Sequence, residues 1–378
     1  MSAQASTARA AAAHPLRNIS FSGPAVAIER RSDGTIYLRP KTPLGDYPRR
    51  ITDRLHHWAK ATPDNVFMAE RVGSGGWRKL TYAELLAASR HVASALLNRG
   101  LSAEKPVMIL SGNSIDHALV AFGALYAGIP FCPVSSAYSL ISKDFGKLSY
   151  VIKLLTPGLV FADDADKFGN ALAANVPPDV EIAATSGTVP GREVTKLVDL
   201  LNTPLHQNLD AAHETIGPDT IAKFLLTSGS TGNPKAVINT QRMICANQVM
   251  IRETMAFLKD EPPVIVDWLP WNHTFGGNHN IGLTLYNGGS MYLDQGKPMP
   301  GGIEETVTTC ARFRRRSIST CPRATSHCCL ISATTRRCAT NSSRACMRCS
   351  SPARRCRRLS GTASTNCRCG PPAHAFRC

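Results

Sequence analysis

Apolar and polar positions follow two rhythms between residues 50 and 307. Over 82–98, Leu85, Leu86, Ala88, Val92, Ala95 and Leu96 recur at helical spacing and Gly100 supplies a stop, so an amphipathic helix is predicted. Further helices are predicted from Thr52, a candidate N-cap, to the residue before Pro63, and over 116–126, 146–155, 165–174, 241–258 and 280–285, with a short apolar turn or helix at 197–201. The runs 106–110, 131–134, 159–162 and 264–269 are apolar throughout, which predicts strands buried on both faces. Additional strands are predicted at 77–82 and 290–294. Strand and helix in alternation predict an α/β fold, doubly wound with mostly parallel sheets. Residues 14–50 mix prolines, glycines and short apolar runs such as Ile36-Tyr37-Leu38, predicting a loosely structured entry, and 183–192 reads as a loop.

Two stretches fit neither rhythm. The first is Thr227-Ser228-Gly229-Ser230-Thr231-Gly232-Asn233-Pro234-Lys235, delivered by the apolar run 224–226 and followed by a second extended run, 236–238. Its glycines let backbone amides turn toward a ligand. Its hydroxyls and lysine add donors, and no acid opposes them, so the chemistry is that of a phosphate cradle. A Walker loop is excluded, because Pro234 precedes Lys235 and Ala236 follows it. The second stretch runs from Pro270 through Trp271, Asn272, His273, Thr274, Phe275, Gly276 and Gly277 to Asn278 and His279, just beyond a predicted buried strand. Ligands of open parallel sheets bind at such strand ends. Trp271 and Phe275 are candidate pocket walls, Gly276 and Gly277 are expected to leave room for a flat ligand, and His279 is expected to be a structural polar residue.

Composition divides the chain at residue 308. Of 43 basic residues, 15 arginines lie after Val307, leaving 28 against 27 acids before it, so residues 1–307 are almost neutral. Residues 308–378 contain no Asp, Glu, Lys, Gln, Val, Trp or Tyr, and hold 11 of the 13 cysteines. Too few apolar residues remain there to form a core, so disorder is expected. Three readings compete for this tail. A zinc module has Cys346 and Cys349 with Cys367 and Cys369, but the second pair is one residue short of the usual spacing. A nucleic-acid arm has the charge without aromatic interleaving. The favoured reading is an out-of-frame translation of a GC-rich gene. The expected organisation is therefore an entry segment over 1–50, a folded domain over 51–307 and the tail over 308–378. Met1 to Ala13 lacks the basic cluster and apolar centre of a signal peptide, and 118–134 is too broken to span a bilayer. Two isolated cysteines, Cys132 and Cys245, suit a reduced, cytoplasmic protein.

The stretch 227–235 resembles the phosphate-binding signature of the adenylate-forming enzymes, which include acyl-CoA synthetases, luciferases and peptide-synthetase adenylation domains. Ala236 stands where that family has glycine. Residues 80–85 and 125–130 resemble two scaffold motifs of the same family. The run 266–277, together with 239–243, looks most like feruloyl-CoA synthetases. The resemblance covers about residues 50–307, and implies an ATP-dependent acid–CoA ligase acting on a hydroxycinnamate-like aromatic acid, with Mg2+ and coenzyme A as further requirements. It also implies that Thr227, Ser228, Gly229, Ser230, Thr231, Gly232 and Lys235 hold the ATP phosphates, with Lys235 offsetting charge in catalysis. Trp271, His273, Phe275, Gly276 and Gly277 would then shape the acid pocket. His273 is not expected to act as a base, since a carboxylate is already ionised near neutral pH. Motifs that the family carries further downstream have no match in 308–378, so an inactive copy is expected. The alternatives are a cationic nucleic-acid-associating protein acting through 308–378, and a pseudo-ligase that binds nucleotide without turnover.

Overall fold

A computed structural model describes residues 25–73, 76–142, 144–228, 232–296, 302–312 and 317–319. The entry segment contains an antiparallel hairpin, β1 (Val26–Arg30) and β2 (Ile36–Pro40), with Gly34 in the left-handed region at its turn. This corrects the expectation of loose structure there. Helix α1 (Thr52–Ala61) begins where expected, but Thr52 does not cap it. Its hydroxyl lies 3.0 Å from His213 Nε2 instead, and the first turn is held by Asp53, which accepts from the Arg50 amide.

In chain order there follow β3 (Val66–Val72), β4 (Gly76–Thr81) and α2 (Tyr82–Asn98). Helix α2 starts where sequence places it because Thr81 and Glu84 close a capping box. Next are β5 (Val107–Leu110), α3 (Ile115–Ala127), β6 (Phe131–Val134), α4 (Ala137–Leu140), α5 (Gly146–Leu155), β7 (Leu159–Asp164) and α6 (Ala165–Asn175). Gly128, left-handed, ends α3, while Ser114 caps its start. Then come β8 (Glu181–Ser186), β9 (Thr195–Lys196), α7 (Leu197–Leu201), α8 (Leu209–Thr215), β10 (Ile221–Ser228), β11 (Pro234–Thr240) and α9 (Gln241–Thr254). The described chain closes with β12 (Val264–Asp267), α10 (Ile281–Tyr286), β13 (Ser290–Leu293), α11 (Ile303–Arg312) and β14 (Ser317–Ser319).

The strands make two large sheets. One has seven strands in the order β11-β10-β6-β5-β7-β8-β9, parallel except for the edge pair β10–β11. The other has five, β14-β12-β13-β3-β4, parallel except for β3–β4. Helices α2 and α3 lie between them. Their buried side chains join Val107, Ile109 and Phe161 of the first sheet to Phe67, Met291 and Leu293 of the second in one apolar cluster. Phe67 sits edge-on to Tyr82 and to Phe122 at 5.3 and 5.5 Å, contacts worth about 0.5–1.5 kcal/mol each beyond their buried area. On the other face of the seven-stranded sheet, α5 and α6 cover Met108, Leu110, Cys132 and Val134. The expected α/β architecture of mostly parallel sheets is present.

Order also passes the composition boundary. Helix α11 runs through Arg312, and β14 pairs in parallel with β12. Both lie partly or wholly beyond residue 308, where disorder was expected. The cysteine pairs weighed as a zinc module lie outside the described residues.

Candidate functional site

The stretch read as a phosphate cradle is the tip of the β10–β11 hairpin at the edge of the seven-stranded sheet. Thr227 is opposite Lys235, and Ser228 is opposite Pro234. Proline is tolerated there because the strand is at an edge. Lys235 is exposed. Gly232 has φ +85°, a conformation that side chains disfavour, and among the described residues beyond its chain neighbours no atom lies within 4 Å of where its Cβ would be. The glycine therefore serves the turn. Gly229, Ser230 and Thr231 lie outside the described residues. The described flanks present a lysine and a threonine beside a left-handed glycine, which suits phosphate oxygens.

The second stretch is built differently from expectation. Beyond β12, residues 268–274 form a loop, and a π-helical turn, Phe275–Asn280, leads into α10. Buried Asp267 fixes its start by accepting from the Leu269 amide at 3.1 Å and from Asn280 Nδ2 at 2.9 Å. Burial pushes the Asp267 carboxyl up to about 7. A Cβ on Gly276 would come within 2.6 Å of the Leu269 and Pro270 carbonyl oxygens, and one on Gly277 within 2.2 Å of the Trp271 oxygen. The expectation that these glycines leave room for a ligand is thus corrected. The room is filled by the chain's own backbone, which glycine allows to approach.

The expected pocket residues separate into two groups. Trp271 is buried, edge-on to His117 at 4.9 Å, and its amide donates to Asn113 Oδ1. Trp271 and Gly277 line an apolar cavity of about 40 Å³. His273 and Phe275 are exposed on the outer side of the turn. Phe275 stacks on His279 at 4.6 Å, and the His279 ring meets Asn280 Oδ1 at 2.9 Å.

Two side chains not singled out from sequence join the stretches. Lys223 of β10 donates from Nζ to the Gly277 carbonyl at 2.7 Å, and Asn278 Nδ2 donates to Asn239 Oδ1 of β11 at 2.9 Å. Both bonds run from the hairpin to the π-helical turn. Lys223 is buried, with Nζ 5.4 Å from the centre of the Phe131 ring, and burial pulls its ammonium down to about 7. His117 also lines the cavity; its ring meets the Gly112 carbonyl at 3.1 Å, and burial pulls it down to about 4. The sequence signal for Lys223 was its place as the one charge in an apolar strand. Alternation in an edge hairpin makes such a lysine look solvated.

The AMP-binding enzyme family matches residues 55–363. The chain belongs to this family. The match extends through most of the arginine-rich tail. Among curated AMP-binding relatives, the chain is 28% identical to a salicylyl-CoA synthase / salicylate adenylyltransferase from Streptomyces sp, over 71% of this chain and 48% of that protein. It is 30% identical to an indigoidine synthase from Streptomyces lavendulae, over 61% of this chain and 16% of that one. The chain thus spans about half or less of these relatives. Among solved structures, VinN with L-aspartate superposes with a TM-score of 0.59 at 21% identity, covering 77% of this chain and 67% of that one. A fatty acyl-adenylate ligase from L. pneumophila, in complex with acyl adenylate and pyrophosphate, gives 0.54 at 18% identity, covering 72% and 44%. At these identities the likeness is one of fold. Among the described residues, no helix is long and apolar enough to cross a membrane.

Proposed function

We propose that the chain holds the nucleotide- and acid-binding portion of an ATP-dependent acid–CoA ligase for an aromatic, hydroxycinnamate-like acid. The observation that carries this reading is the joining of the base of the hairpin, whose tip is the phosphate stretch, to the aromatic turn through Lys223–Gly277 and Asn278–Asn239. The aromatic assignment rests on the wording of residues 266–277 and on the salicylate-activating relative. In this reaction the acid's carboxylate oxygen attacks the α-phosphorus of ATP, and the bond to the bridging oxygen breaks to release pyrophosphate. The coenzyme A thiol then attacks the acyl carbon, gives up its proton, and displaces AMP.

The chain's own contribution is positioning and charge. Lys235 and the hairpin-tip residues Thr227, Ser228, Gly229, Ser230, Thr231 and Gly232 would grip the phosphates and offset charge as pyrophosphate leaves. Trp271 with Gly276 and Gly277 shapes the inner wall of the turn, while His273 and Phe275 meet a ligand arriving from its outer side. Magnesium would supply further charge neutralisation at the phosphates. Among the described residues, no group of three His, Cys, Asp or Glu side chains could hold a metal, so no step is assigned to it. Residues 308–378 also offer no acid for a metal or a ribose. The family match runs on to residue 363, but the acid-free composition leads us to read that segment as translated out of register, and to expect this chain to bind ATP with little or no ligation.

Calorimetric titration of the full chain with ATP, and separately with ferulate, tests the reading. Lys235 is exposed, so Lys235→Met should leave folding intact and weaken ATP binding about 10- to 100-fold, the loss of one charge-assisted contact. Unchanged ATP affinity in that variant counts against the phosphate site. Robust feruloyl-CoA formation by chain of the correct mass overturns the expectation of inactivity.

A further inference from the structure

The cavity under the π-helical turn contains a buried ammonium that no phosphate role uses. Lys223 lies four residues before Thr227 on β10, so about 13 Å of strand separates it from the hairpin tip. Its Nζ meets one carbonyl, that of Gly277, and one ring face, that of Phe131. An ammonium has three N–H donors, so donor capacity remains. Among the described residues, no carboxylate pairs with it. Burying a cation without a counter-charge is costly unless something compensates it. Two further polar atoms on the cavity lining are buried without a partner among the described residues, Trp271 Nε1 and Asn278 Oδ1. The rest of the wall is apolar, including Ala118, Phe122 and Leu285.

We propose that this cavity is a carboxylate-binding subsite in which Lys223 supplies the counter-charge. Lys223 Nζ would pair with one carboxylate oxygen, and the indole N–H of Trp271, unpartnered on a residue of the same cavity wall, is a second donor. At about 40 Å³ the cavity has room for a carboxylate group or a few waters. It is too small for an aromatic ring, since a cavity that takes benzene measures about 150 Å³. The group that enters is therefore a small free monocarboxylate or the far end of a larger acid. The first source stands apart from the ligase reading, and the second rests on it. Because Nζ also holds the Gly277 carbonyl, occupancy is felt at the turn that carries His273 and Phe275.

The test is binding to the full chain without ATP, so that its failure is distinct from failure of the nucleotide site. Acetate is titrated against thermal unfolding at pH 6 and pH 8.5, followed by cinnamate and 4-carboxycinnamate. Acetate should raise the unfolding temperature, more so at pH 6, where Lys223 carries its charge. His117, the other titratable group on the cavity wall, is held neutral at both values. Lys223→Met should abolish the acetate effect while leaving the apolar walls in place. Ala118→Leu, which fills the cavity and keeps the lysine, should abolish it as well, and serves if the first variant does not fold. If the far end of a larger acid is the source, 4-carboxycinnamate should bind at least 10-fold tighter than cinnamate in the wild type and equally in Lys223→Met. An acetate effect without that preference assigns the site to a free anion. Stabilisation by acetate that survives both substitutions, or no effect of any carboxylate on the wild type, overturns the proposal.

Discussion

His117 and His213 are both buried, and desolvation pulls each imidazole down to about 4; for His213 the nearby positive charges of Arg50 and His56 add to it. Their folded values lie below the ordinary 6.5, so between about 4 and 6.5 the unfolded chain binds more protons than the folded one. The stability they contribute is complete above 6.5 and is lost as pH falls toward 4. Asp267 runs the other way. Its folded value, raised to about 7, makes its contribution largest below about 3.8 and lost as pH rises to 7. Urea unfolding at pH 4.5 and 6.5 should therefore show lower stability at the acid value. His213→Gln should flatten that fall, and Asp267→Asn should steepen it, each by about 1.4 kcal/mol per pH unit. Parallel pH slopes in all three proteins would show that these groups titrate normally in the fold.

Elements set by local signals were legible in the sequence, and those set by partners were not. Helix α2 carries its own capping box and α3 its own serine cap and glycine stop, so both fall within a residue or so of their predicted bounds. The hairpin strands flanking the phosphate tip were likewise marked by apolar runs on either side of a glycine-rich turn. Strand β8, in contrast, overlaps a stretch rich in Ser, Thr, Gly and Pro that reads as loop. It is a strand because its residues pair in parallel with β7. Tertiary closeness likewise explains Gly276 and Gly277, whose sequence signal is the same for an open turn as for one filled by neighbouring backbone. Helix α11 is another element held by its partners. Buried Asp294 accepts from the hydroxyls of Thr306 and Thr309, and Arg71 of β3 donates to the Thr309 hydroxyl at 2.6 Å. Asp294→Ala leaves those groups buried and unpaired, at about 1–3 kcal/mol. Hydrogen exchange should accelerate across 303–312 and stay slow across 115–127. Equal protection in variant and wild type would mean that α11 is held without Asp294, by Arg71 and its apolar contacts.

At the scale of the whole molecule, the break in composition and the break in structure do not coincide. Acids vanish after Glu305, yet α11 continues through Arg312 and β14 pairs with β12 at 317–319. A helix already begun can run on into Thr, Cys, Ala and Arg, because those residues tolerate helical backbone. Three strand residues can likewise pair through main-chain groups, whatever their side chains. Continued order over these few positions therefore does not require that the encoded sequence match the fold. A domain that stacks two sheets on a shared helical layer needs apolar strands on every side, and residues 308–378 are poor in large apolar residues, with no valine, tyrosine or tryptophan. At the acid frequency of the first 307 residues, about six acids are expected in a window of that length, and there are none. The change of reading frame we propose makes a definite prediction. Resequencing the gene around codon 308 should show an inserted or deleted nucleotide, and the restored frame should regain acids, lysines and alternating apolar runs. On that reading the restored protein should show the proposed ligase activity at a level above that of the present chain. An uninterrupted frame verified in independent isolates would instead make the arginine-rich segment a true part of the protein and remove the reason to expect an inactive ligase.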